Sequence, residues 1–147
     1  MIAVLDSSAM ISWLEGEPEG ALVEAVFGAF DEGETEVTAH ATNLCEVFYH
    51  VQFDTDEATA HAALAVLRGR GLTERADMDV SFWQEMARTI AAARRMIRPN
   101  GSNASLALGD AFGVVLANRL GGVFVTKDRS EIEPLHDAAM VDAHFIR

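Results

Sequence analysis

Two apolar runs in this chain each deliver a carboxylate at their carboxyl end. Ile2-Ala-Val-Leu5 leads into Asp6-Ser7-Ser8, and Val123-Phe-Val-Thr126 leads into Lys127-Asp128. Short apolar runs without polar alternation suit strands buried on both faces, as in a parallel sheet covered by helices on either side. The stretches between successive strand candidates read as helices rather than hairpins. The expected fold is therefore α/β with a mostly parallel sheet, whose sites gather at the carboxyl ends of the strands.

Punctuation along the chain supports that frame. Pro18 is placed to open a helix that runs to about Phe30, and Glu36–Ala39 is a short strand. A helix over about Ala41–Phe53 carries Leu44, Val47, Phe48 and Val51 at i, i+3, i+4 and i+7. The acidic turn Asp54–Glu57 starts another helix that reaches Arg70, and a turn with a possible strand occupies Gly71–Ala76. Asp79 caps a helix to about Ile97, stopped by Pro99-Asn-Gly101, and Val141–Ile146 alternates as an edge strand. At 147 residues the natural count is one domain, 1–147.

Asp110 is the next constraint. Ser105–Arg119 reads as a helix in which Asp110 shares its face with Leu106, Ala107, Gly113, Val114 and Ala117. An unpaired carboxylate in an apolar stripe costs several kcal/mol or takes up a proton. Asp110 should therefore face a buried polar partner, a cluster of acids or an ion. Gly109 and Gly113 bracket it and let something approach the backbone closely. Glu46 lies beside Thr42, Tyr49 and His50, off the centre of its helix's apolar stripe, and taken on its own it reads as a surface residue. Likewise, Asp6 can be a plain helix cap. If the first and last of these apolar strands are neighbours, Asp6 and Asp128 sit close together and Asp110 can join them. Such a cluster must protonate, separate or bind cations, and all-oxygen donors suit Mg²⁺ or Mn²⁺ rather than Zn²⁺. The five histidines show no paired ligand spacing and read as surface or packing residues.

Charge restricts the partners. The formal net charge is −12, and all 11 basic residues lie from Arg68 onward. That balance argues against indiscriminate nucleic-acid binding but leaves room for a local basic rim. Arg94, Arg95 and Arg98 either complement a helix dipole or face phosphate. No apolar run is long enough for a membrane helix, so a soluble cytoplasmic protein is expected. The lone cysteine, Cys45, cannot form an internal disulfide and is expected to be buried among its apolar neighbours.

Four segments together resemble the PIN-domain nucleases of the VapC toxin family. They are Val-Leu-Asp6-Ser-Ser, Thr42-Asn-Leu-Cys-Glu46-Val-Phe-Tyr, Ser105-Leu-Ala-Leu-Gly-Asp110-Ala and Val-Thr126-Lys-Asp128. Their order and spacing match along the whole chain. The resemblance implies a PIN-like α/β/α sandwich with a mostly parallel sheet of four to five strands. It also implies that Asp6, Glu46, Asp110 and Asp128 form a metal-binding pocket, with Thr126 or a serine near Asp6 assisting. The implied activity is Mg²⁺- or Mn²⁺-dependent cleavage of RNA by a homodimer whose cognate antitoxin blocks the groove. RNA would then be held by Arg68, Arg70, Arg94, Arg95, Arg98, Lys127 and Arg129. A PIN nuclease of RNA processing without an antitoxin, an inert interaction module and a receiver-like phosphoacceptor are the competing readings.

Overall fold

The first strand, β1 (Ile2–Leu5), divides the interior in two, because its side chains alternate between opposite faces. In the computed structural model, which describes residues 1–146, four further strands flank it. They are β2 (Glu36–His40), β3 (Thr73–Arg75), β4 (Val123–Thr126) and β5 (Ala143–Phe145). The order is β3-β2-β1-β4-β5 and every pairing is parallel. The expectation of a mostly parallel sheet of four to five strands is met at its upper limit.

Helices supply the crossovers: α1 (Ser7–Leu14), α2 (Ala21–Asp31), α3 (Ala41–Asp54), α4 (Glu57–Gly69), α5 (Val80–Ala93), α6 (Leu108–Leu120) and α7 (Arg129–Asp137). On one face Val4, Phe124 and Ala143 pack with Phe82, Met86, Phe112, Ile132 and Leu135. On the other, Ala3, Leu5, Val37 and Val125 pack with Met10, Phe27, Leu44, Val47 and Leu67. Each fully buried side chain of this size stabilises the fold by about 1.5–3 kcal/mol relative to exposure. Two apolar faces on one central sheet explain why β1 and β4 read as continuous apolar runs. No helix among the described residues is long and apolar enough to cross a membrane.

Two boundaries and one burial differ from the sequence reading. α5 ends at Ala93 rather than near Ile97, so Arg94, Arg95 and Arg98 belong to the following loop. α6 begins at Leu108, not Ser105, because Ala107 is held extended (φ −66°, ψ 152°) while its amide donates to the Glu131 carboxylate at 2.7 Å. Asp110 consequently sits in the first turn of α6 and not in mid-helix. Cys45 is exposed, not buried, because it lies one residue, or 100°, from the inward-facing Leu44.

Gly113 shows how tightly α6 meets the sheet. A Cβ there would lie 2.3 Å from Cε2 of Phe124, a ring that is fully buried. Gly113→Ala gains about 1 kcal/mol of helix propensity but presses a Cβ into a buried ring, a displacement in the upper part of the overpacking range, about 2–3 kcal/mol. The expected result is a net loss of about 1–2 kcal/mol, read as a lower denaturant midpoint at unchanged slope. A neutral or stabilised variant would show that Phe124 moves freely.

Candidate active site

β1 and β4 are neighbours, and the connections leave them in opposite directions along the sheet. Loops diverge at such a point and leave a crevice beyond the strands' carboxyl ends. Asp6 stands there, immediately after β1, and is 1% exposed. Its Oδ1 accepts from the Ala9 amide at 2.7 Å, capping α1, and Ser8 Oγ donates to both carboxylate oxygens at 2.9 Å. Thr126 Oγ1 donates to Oδ2 at 2.5 Å. Burial raises the Asp6 pKa to about 6 although these hydrogen bonds pull it down, and the charge of Asp128 pushes it further up. The capping role and the cluster role are thus both present in one side chain.

Thr126 connects two acids. While donating to Asp6, its hydroxyl accepts from the Asp128 amide at 2.9 Å. Asp128 caps α7, its Oδ1 accepting from the Glu131 amide at 3.1 Å and from Ser130 Oγ at 2.9 Å. Glu131 then turns outward from its own helix end. It accepts from the Ala107 amide at 2.7 Å and from Ser105 Oγ at 3.3 Å, fixing the entry to α6.

Carboxylate oxygens of Asp110, Asp128 and Glu131 lie within 4.8 Å of one another. The Asp110 pKa is raised to about 8, first by burial, then by the charge of Asp6 and by a proton shared with Glu131. Asp128 and the Glu131 charge push in the same direction. The positive end of α6 favours an anion in its first turn, but a contribution of about 0.3–1 kcal/mol does not outweigh those effects.

Glu46 reaches the same mouth from α3. Ser7 Oγ donates to its Oε2 at 2.5 Å, and a Cβ on Gly109 would meet Oε1 at 2.1 Å. The Glu46 carboxylate thus occupies the space that a side chain beside Asp110 would fill, and a larger residue than Gly109 would push it aside. One turn earlier, buried Asn43 donates from Nδ2 to the Gly109 carbonyl at 3.2 Å. Asp6, Asp110 and Asp128 are mutually close enough to repel, Glu46 abuts the residue before Asp110, and Thr126 lies between Asp6 and Asp128.

The chain matches the PIN domain over residues 3–133. It belongs to the PIN domain family. A search of curated proteins finds no match. Among solved structures, this PIN domain resembles VapBC2 from Rickettsia felis bound to a DNA fragment from its promoter, at 13% identity and a TM-score of 0.73. That likeness covers 99% of this chain and 98% of the other. VapBC-1 from nontypeable Haemophilus influenzae is similar at 12% identity and TM-score 0.70, over 99% of this chain and 98% of that one. Mycobacterium tuberculosis VapC20, described as a Sarcin-Ricin loop cleaving toxin, is similar at 11% identity and TM-score 0.66, over 95% of each chain. At these identities the likeness establishes the fold.

Glu131 is the acid of this PIN domain that the sequence reading missed. Its signal was the Asp128-Arg-Ser-Glu131 spacing, which resembles a capping box at the start of the helix after the last buried strand. The donor chemistry fits a hard divalent cation, since the cluster is all oxygen, partly desolvated and self-repelling. Around it, Lys127 Nζ pairs with Glu17 at 2.6 Å, and Arg98 Nη2 donates to Ser105 Oγ at 3.0 Å. Arg68 and Arg70 instead pair with Glu74, Glu24 and Asp31. His40 packs on Phe112 with ring centroids 4.4 Å apart, in keeping with a packing role.

Proposed function

We propose that this PIN domain is a divalent-metal-dependent endoribonuclease, the toxin half of a type II toxin–antitoxin pair acting in the cytoplasm. The observation that carries the reading is the convergence of Asp6, Asp110, Asp128 and Glu131, with Glu46 alongside, at the sheet's switch point. A cluster that raises its own pKa values is costly to an inert fold and useful to one that binds cations. Among the similar structures are VapBC proteins and a toxin described as Sarcin-Ricin loop cleaving, which supports the assignment of substrate and partner.

Asp6, Glu46, Asp110 and Asp128, joined by Glu131, would hold Mg²⁺ or Mn²⁺, and a bound dication supplies charge neutralisation at the scissile phosphate and eases nucleophile formation. Thr126, Ser8 and the Ala9 amide fix the Asp6 carboxylate before substrate arrives, so little reorganisation is required. Ser7 orients Glu46 in the same way. Glu46 or Asp128 would orient the attacking water and take up its proton. Tyr49, Phe53 and Val66 leave exposed apolar surface on the α3–α4 pair, consistent with a homodimer or a bound antitoxin.

The test is incubation of the purified chain with a mixed RNA pool in Mg²⁺, Mn²⁺ or EDTA, together with expression in a bacterial host. Endonucleolytic products that require a dication, and growth arrest relieved by Asp6→Asn, are expected. Intact RNA in both dications, from a folded protein, would contradict the proposal.

A further inference from the structure

An open cleft of about 800 Å³ adjoins the acidic cluster, between the loop after α5 and helix α7. That volume falls within the roughly 300–1,000 Å³ typical of small-molecule sites. We propose that this cleft holds a nucleobase next to the scissile phosphate, preferring a base that bears an amino group; the proposal rests on the nuclease reading above.

Position is the first reason. Arg129, on the cleft wall, directly follows Asp128, and Arg98 is linked through Ser105 Oγ (3.0 Å) to Glu131 (3.3 Å from that hydroxyl). A strand whose phosphate meets the acids would have its neighbouring base within reach. The walls are the second reason. Ile97, Pro99 and Pro134 present apolar surface, with Ile97 67% exposed, and such surface covers the face of a base. Arg129 is held by Phe145, 4.7 Å from its ring centroid, and by Glu133 at 3.0 Å, while its side chain remains 40% exposed. A guanidinium immobilised in this manner offers a planar stacking surface, as single-stranded RNA readers do. Arg98 contributes a buried Nε with no hydrogen-bond partner among the described residues.

The acids on the wall decide what enters. Glu133 and Asp137 also line the cleft, and carboxylates repel a phosphate but accept from an exocyclic amine, the donor that uracil lacks. The site is therefore complementary to guanine, adenine or cytosine more than to uracil. An aromatic peptide side chain, the alternative occupant, would bring no donor to either acid beyond the one Arg129 already gives Glu133.

The probes are 5′-GMP, 5′-AMP, 5′-CMP and 5′-UMP, with ribose 5-phosphate as the control lacking a base. Titrations are followed by amide chemical shifts of the full chain in EDTA, without cleavage. At least one amino-bearing nucleotide should bind about tenfold more tightly than ribose 5-phosphate, shifting amides of 97–100 and 129–138. Ala138→Trp, which fills the cleft, and Arg98→Gln should each weaken that binding about tenfold while the melting temperature stays within about 3 °C of the parent. Equal binding of ribose 5-phosphate, shifts elsewhere, or variants that bind like the parent would overturn the inference. RNA cleaved without such binding removes the base site alone. Nucleotide binding without cleavage in any dication removes the nuclease reading alone.

Discussion

Asp110→Asn is expected to stabilise the metal-free protein at pH 8 while abolishing RNA cleavage. Asparagine keeps the shape of the side chain but carries no charge to be desolvated or to repel Asp6, Asp128 and Glu131. Discounted for the solvent that still reaches Asp110, the relief amounts to about 2 kcal/mol. At about 2–4 °C per kcal/mol for a chain of this size, the melting temperature should rise by about 4–8 °C. At pH 4, where Asp110 is protonated and nearly isosteric with Asn, the two proteins should melt within about 2 °C of each other. Activity should move the other way. Removing a central anion of the cation site is expected to cost about 1,000-fold, equivalent to about 4 kcal/mol of barrier. Thermal melts at both pH values and single-turnover cleavage on one preparation check both halves. An Asn variant that is less stable at pH 8 would mean that Asp110 is a satisfied structural carboxylate.

A second large effect is expected from pH and dications together. The pKa values of Asp6 and Asp110 are raised from an ordinary 3.8 to about 6 and about 8, so the folded protein binds more protons than the unfolded chain between those limits. Stability contributed in this way is fully present below about pH 4 and is lost as pH rises through 6 and then 8. The exposed carboxylate of Asp79 and the partly buried one of Glu85 have lowered values, chiefly from the Phe82 amide and Arg119 respectively, and favour the folded state once ionised. The metal-free melting temperature should therefore peak near pH 5 and decline by several degrees to pH 8. Mg²⁺ or Mn²⁺ should restore it at pH 8 and have little effect at pH 5, because the ligands must be deprotonated. A dication shift that is the same at both pH values would place binding elsewhere, for example among Glu15, His50 and Asp54.

Most of the architecture was legible because the strands announce themselves. Continuous apolar runs in β1 and β4 follow from burial on both faces, and Asp6 and Asp128 are legible as the acids that end them. Asp110 was found by its conflict with its neighbours, although for a partly mistaken reason. Local periodicity extends α6 back to Ser105, but Glu131, a residue 24 positions from Ala107, holds the amide that would have joined the helix. No local signal carries that contact. Glu131 was missed for the same reason, since its role depends on α7 folding against the α6 entry. Glu46 and Cys45, adjacent in sequence, exchanged their expected environments: Glu46 is half-buried against Gly109, while Cys45 faces solvent. Their stripe was correctly phased, but only the neighbouring helix decides whether its flank is covered.

The central claim is that acids distant in sequence make one cation site. Crystals soaked in Mn²⁺ and measured near the manganese edge test it most directly. An anomalous peak bounded by the carboxylates of Asp110 and Asp128, with Asp6 or Glu131 alongside, is expected. A peak confined to Glu15, His50 and Asp54, or none at a Mn²⁺ concentration that supports cleavage, would contradict it.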